Sequence, residues 1–119
     1  YPDGTIIGWP FGRRIFSFLA NFLARTLISW SIADYTNGYR FYSKNAASYM
    51  CQISQKHKGY IYLSETLTYF LKKEYTIFSF PIVFVNRERG KSNTNIKEML
   101  SAFIGILSIA WLYRFGPRS

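Results

Sequence analysis

The sequence predicts a small mixed α/β domain, and three observations carry that reading. Residues 13–30 place Arg14, Ser17, Asn21 and Arg25 three and four positions apart in an otherwise apolar run, which is the pattern of a helix. Residues 74–86 are instead dense in β-branched and aromatic side chains, which favour a strand. The chain has 119 residues, enough for one domain around one core.

The elements follow in order. The opening stretch, with Pro2, Gly4, Gly8, Pro10 and Gly12, reads as a loop. The helix over 13–30 carries a narrow polar seam on a broad apolar surface, which suits a half-buried core helix or one lying in a membrane interface. Asn37-Gly38 reads as a tight turn, and residues 38–42, "GYRFY", as a short strand. Ser43 is expected to cap a helix running to about Gln55 with Ala46, Met50 and Ile53 on one face. Gly59 is expected at its C-terminal end. "YIYL" (60–63) reads as a short strand, and Ser64 as the cap of a helix ending near Lys73. In the strand over 74–86, Pro81 marks a bulge or an edge. "RERGKSNTN" (87–95) is a polar loop, and Asn95, with Glu98 three residues on, caps a helix over 96–114. The most apolar part of that helix, Met99–Tyr113, is roughly 22 Å long against ~30 Å of hydrocarbon. It ends in Trp111, Tyr113 and Arg114, residues of the headgroup level. An interfacial helix, or the approach to a span lost downstream, is therefore expected in preference to a complete span.

Charge and composition narrow the function. The net charge is +9, from 15 Lys and Arg against 6 Asp and Glu, and 20% of the residues are aromatic. That combination fits nucleic acid or an anionic membrane surface. The arginines border very apolar segments, which favours the membrane. The single cysteine, Cys51, excludes an intrachain disulfide and a cysteine-clustered metal site. Cys51 is read as a packed thiol and the lone His57 as a surface imidazole. Among the carboxylates, Asp34 beside the aromatic turn and Glu65 near a helix start have unusual settings. A carboxylate at a helix N-terminus is most often only a dipole partner, contributing about 0.3–1 kcal/mol. Arg87, Arg89 and Lys91 around Gly90, before Ser92 and a helix start, suit phosphate oxygens, although a solvated basic loop has the same composition.

These pieces together resemble a family. "GWPFGRRIFSFLANFL", "DYTNGYRFY", "KGYIYLSETLTYFLKKEYTIFSFPIVFVNRERGKSN" and the closing amphipathic helix stand in the order and spacing of polyprenol-phosphate glycosyltransferases. The chain resembles the C-terminal half of a dolichol-phosphate mannosyltransferase-like enzyme of glycosyltransferase family 2. The resemblance implies a GT-A, Rossmann-like fold with amphipathic interface helices. Residues 1–95 would be the later part of the catalytic domain, and 96–119 an interfacial helix. It implies inverting transfer of a hexose, mannose or glucose, from a nucleotide-sugar of the GDP-mannose or UDP-glucose type to a polyprenyl or dolichyl phosphate. Mg²⁺ or Mn²⁺ would be held at an Asp-x-Asp motif. No Asp-x-Asp occurs here and Tyr1 is no initiator Met, so a fragment without the nucleotide-binding half, inactive by itself and with no metal ligands of its own, is expected.

Position by position, Arg13 matches the arginine of a Trp-x-x-x-Arg helix start and, with Ser17 one turn on and Thr36, is expected at the acceptor phosphate. Asp34, Thr36, Gly38 and Arg40 match an Asp-x-Thr-x-Gly-aromatic-Arg turn; Asp34, Arg40 and Glu65 are the expected catalytic set. Arg87, Gly90, Lys91 and Ser92 are expected at the donor phosphates; the family commonly follows that Ser with Lys or Arg, and here it is Asn93. The implied location is the cytoplasmic face of a membrane, with no nucleic-acid partner. The competing reading is a non-catalytic basic-aromatic module for membrane or RNA, although no RNA-binding strand motif is present.

Overall fold

Three helices that run in the same direction hold the core. A computed structural model describes residues 4–86 and 95–116. Its elements are β1 (Thr5–Ile7), α1 (Phe11–Leu27), α2 (Lys44–Gln52), α3 (Tyr60–Lys72), β2 (Val83–Val85) and α4 (Ile96–Phe115). Phe16 of α1 meets Phe103 of α4 edge to face at 5.4 Å, and Arg114 Nε donates to Leu27 O at 3.0 Å. Both contacts join residues the same distance apart in sequence, so α1 and α4 lie parallel. α3 is also parallel to α4: Ile61 packs at Gly105, and Lys72 Nζ donates to Leu112 O and Gly116 O. Ala20, Ala24, Tyr35, Ile61, Leu67, Ile106 and Ile109 fill the space between.

Parallel packing gathers the negative helix ends at one place. Cations there are stabilising, and Lys72 and Arg114 satisfy the terminal carbonyls of α4 and α1. The positive N-terminal ends gather at the opposite side.

β1 pairs in parallel with β2, Thr5 opposite Val83 and Ile7 opposite Val85. The expected opening loop thus contains a strand. Its Thr-Ile-Ile core is β-branched, but its partner lies far along the chain, beyond what local pattern shows. α1 starts at residue 11, two before the expected 13, because Pro10 O accepts from the N–H groups of Arg13 and Arg14. It ends three residues short of 30.

Several other expectations are corrected. Residues 38–42 form no strand: the backbone carbonyls around them are taken by side chains rather than by a partner strand. Gly38 does not adopt positive φ, so the turn is not the expected Asn-Gly type. Ser43 caps α2 through Ala46 N as expected, but the helix stops at Gln52. Gly59 stands at the start of α3, not at the end of α2, with φ 65°, a left-handed value that glycine adopts freely. "YIYL" is the first turn of α3, so Ser64 is an interior residue and not a cap. Packing against α4 overrides the β preference of Tyr60–Leu63. Of 74–86 only Val83–Val85 is strand; Glu74 turns the chain at φ 57°, and Pro81 has no N–H for a ladder. Cys51 is exposed rather than packed.

The Asn95 cap is present, its Oδ1 accepting from Glu98 N at 2.9 Å. α4 itself is not amphipathic. One face buries Ala102, Gly105, Ile106, Ile109 and Ala110, while the other exposes Leu100, Ile104, Leu107, Trp111 and Phe115. With 20 residues and mean hydropathy 1.4, α4 is long and apolar enough, by length and composition only, to cross a membrane. α1 packs Phe16, Leu23 and Leu27 on the core and also exposes apolar side chains. Asn21 of its polar seam is buried beside Ala20 and Ala24, whereas Phe11, Ile15, Phe18, Leu19 and Phe22 face outward.

Candidate functional site

A cleft of about 50 Å³ opens at the N-terminal ends of α1 and α3. Arg13 and Ser17 of α1, Thr36 of the following loop, and Tyr60 and Ser64 of α3 line it, over a floor that includes Phe16, Ala102 and Ile106. Arg13 and Ser17 share a face because four residues make one helical turn. Thr36 joins them through a tertiary device centred on Tyr35.

Tyr35 is fully buried. Its N–H donates to Asn21 Oδ1 at 2.7 Å, and its phenol donates to Ser29 O at 2.9 Å. Its carbonyl accepts from Ser64 Oγ at 3.1 Å and Arg40 Nη2 at 3.0 Å. Burial raises the phenol well above its ordinary value. This one residue therefore ties the loop to α1 and α3 at once. Asp34 shapes the next turn: its Oδ1 accepts from Thr36 N and Thr36 Oγ1, each at 2.8 Å, and from Asn37 N at 3.2 Å. The Thr36 hydroxyl proton is thus directed to Asp34, and the oxygen keeps only acceptor capacity toward the cleft.

The two candidate arginines differ in what their donors do. Arg40 gives Nε to Asn37 O at 2.8 Å, Nη1 to Leu63 O at 2.7 Å and Nη2 to Tyr35 O. It is a clamp joining the loop to α3, and burial lowers its pKa from the ordinary arginine value. Arg13 is half-buried, lies over the Trp9 ring at 4.2 Å, and makes no side-chain hydrogen bond or ion pair among the described residues. Its guanidinium edge is available to a ligand.

Glu65, 2% exposed, does not line this cleft. Its carboxylate accepts from Lys56 N at 3.0 Å, His57 N at 2.9 Å and His57 Nδ1 at 3.0 Å, with Tyr69 Oη at 3.5 Å from the other oxygen. Burial, and then the nearby Glu65 carboxylate, raise the Tyr69 phenol. His57 is therefore a half-buried partner of Glu65 rather than a surface imidazole. Glu65 lies within α3 instead of at its start, so its carboxylate serves the 56–57 backbone and not the helix dipole. Of the expected catalytic set, Asp34 and Arg40 share one loop, and Glu65 organises another.

Arg87, Gly90, Lys91 and Ser92 lie outside the described residues. Among the described residues, no group of three His, Cys, Asp or Glu side chains comes together to hold a metal. Sequence reasoning did not single out Tyr35 or Tyr60. The Trp-x-x-x-Arg spacing named Trp9 only as context for Arg13.

No protein-family profile matches the chain, and no solved structure matches it. Curated proteins similar to it include the following two. A polyprenol monophosphomannose synthase of Mycolicibacterium smegmatis is 30% identical over 102 residues, covering 83% of this chain and 38% of that protein. An undecaprenyl-phosphate mannosyltransferase of Micrococcus luteus is 28% identical over 91 residues, 76% of this chain and 37% of that protein. The chain therefore spans less than two fifths of the length of these relatives. Its match to both bears out the resemblance carried by the motifs: the chain is related to a part of the polyprenol-phosphate glycosyltransferases.

Proposed function

We propose that the intact protein, on a GT-A framework, transfers a hexose with inversion from a nucleotide-sugar to a membrane polyprenyl phosphate at the cytoplasmic face, and that this stretch supplies the acceptor site. The observation that carries the reading is Arg13: a guanidinium whose donors are unpaired among the described residues, beside Ser17, in a cleft at positive helix ends. A guanidinium edge suits a phosphate, and helix N-termini favour anions. The outward apolar faces of α1 and α4 support a lipid-borne acceptor. The names of the two relatives favour mannose as the sugar.

The reaction asks little of an acid or base. An acceptor phosphate oxygen, already ionised at neutral pH, bonds to the anomeric carbon while the nucleoside diphosphate leaves with the electron pair. What the protein must supply is positioning and charge neutralisation. In this reading Arg13 and Ser17 hold the acceptor phosphate. Asp34 and Arg40 set the loop that brings Thr36 to it, Glu65 orders the 56–57 backbone ahead of α3, and Arg87, Gly90, Lys91 and Ser92 serve the donor phosphates. Mg²⁺ or Mn²⁺ would assist the departing diphosphate, with ligands from outside the described residues.

The test is transfer from GDP-mannose to polyprenyl phosphate by the full-length protein and its Arg13→Ala variant. Removing one charge-assisted contact costs about 1.5–3 kcal/mol, so the acceptor KM is expected to rise about 10- to 100-fold with the donor KM unchanged. Wild-type acceptor kinetics in that variant would refute the assignment.

A further inference from the structure

We infer that Trp9 is a positioning residue of the acceptor site, presenting the Arg13 guanidinium to the anionic headgroup. This rests on the function proposed above and adds to it the element that aims the arginine. Three observations meet at this side chain. Its ring face seats Arg13 at 4.2 Å. It meets Phe84 of β2 in a T-shaped contact at 5.5 Å and 73°, so the ring is anchored to the strand pair rather than only to α1. The indole Nε1–H is shut off from solvent without a hydrogen-bond partner among the described residues.

The last observation decides the interpretation. A buried indole N–H normally finds a partner, and a phenyl ring at this position would avoid the loss. The ring is held where its face meets the guanidinium, at the expense of its N–H. Tryptophan is the strongest cation–π partner, and a stacked guanidinium keeps its in-plane donors free for an oxyanion. The segment before Trp9 is also fixed: Asn86 Nδ2 donates to Gly8 O at 3.0 Å, and Arg14 Nη2 to Ile6 O at 2.8 Å. Arg13 therefore has a rigid backing, and a long flexible side chain is preorganised for its ligand.

The experiment uses the full-length protein with polyprenyl phosphate as acceptor and compares Trp9→Phe, Trp9→Leu, Arg13→Ala and the Trp9→Leu/Arg13→Ala double variant. Trp9→Phe is expected to raise the acceptor KM about 3- to 10-fold with donor KM, kcat and Tm retained, since the smaller ring weakens the stack but removes the unpaired N–H. Trp9→Leu is expected to approach the acceptor KM of Arg13→Ala, and the double variant to be no worse than Arg13→Ala alone. A purely structural role would instead lower Tm and kcat together, be rescued fully by Phe, and add to the arginine effect. If Arg13→Ala raises the acceptor KM while both Trp9 variants keep the wild-type value, the inference falls and the proposed function stands. If neither residue affects acceptor kinetics, both fall.

Discussion

Tyr35 shows at the scale of one residue how polar groups in this core are accounted for. Its N–H, carbonyl and phenol all have protein partners, and four of its neighbours, Asn21, Ser29, Arg40 and Ser64, come from three parts of the chain. Ionising the phenol would remove the donor to Ser29 and leave a charge in a dry site, which is why burial raises its pKa. Above about pH 10 the unfolded chain loses this proton while the folded chain keeps it. Stability must then fall as pH rises, by up to about 1.4 kcal/mol per pH unit for this group. Tyr35→Phe is expected to flatten that slope in urea denaturation between about pH 9 and 11, leaving the share of half-buried phenols such as Tyr69. An unchanged slope would mean that another group dominates. The same accounting separates Arg40 from Arg13: one guanidinium donates to three carbonyls, and the other has no hydrogen-bond partner among the described residues.

Among the elements, α3 and α4 approach closely at Gly105. A Cβ on Gly105 would lie 2.8 Å from Ile61 Cγ1 and Cγ2, inside any tolerable contact. Gly105→Ala gains about 1 kcal/mol of helix propensity, but it overpacks a buried branched side chain at a cost of about 1–3 kcal/mol. A net destabilisation of up to about 2 kcal/mol is expected from chemical denaturation. Adding Ile61→Ala should make the second substitution less harmful than it is alone, since the two sites share one space. Strict additivity would count against the close contact. The sequence showed α4 as apolar and capped by Asn95, yet it gave no reason to place Gly105 at a helix crossing. The expected strand over 60–63 failed for the same reason: Ile61 owes its helical setting to α4, not to its own preference.

Taken as a whole, the molecule has an apolar exterior on two helices whose inner faces are already packed. Phe18 and Trp111 are 67% and 66% exposed, so replacing them removes little from the fold, within about 0.5 kcal/mol each. Burying such rings in a bilayer gains about 1.5–3 kcal/mol apiece, and nearby Lys and Arg add attraction to anionic lipid. The protein is therefore expected to float with vesicles containing anionic phospholipid. Phe18→Asp with Trp111→Asp should reduce the bound fraction by about tenfold or more without lowering Tm. Equal flotation of the variant would place the membrane contact elsewhere.

The periodic positions were legible without tertiary information. Arg13 and Ser17 fall one turn apart on a helix, Ser43 and Asn95 cap helices, and the polar seam of α1 marks one face, because each depends on residues within a few positions of one another. What that seam faces was not legible, since the same pattern serves a soluble helix turned outward and an interface helix turned inward. Nor was the pairing of Thr5–Ile7 with Val83–Val85, the parallel setting of α1, α3 and α4, or the meeting of Thr36 with Arg13. Those depend on contacts between distant segments, and their gain in buried surface outweighs the local preferences of the residues involved. The sequence by itself determined the family resemblance, the basic-aromatic balance and the starts of α2 and α4. Only the tertiary structure decided which arginine is a clamp and which is free, because that depends on the carbonyls each guanidinium can reach.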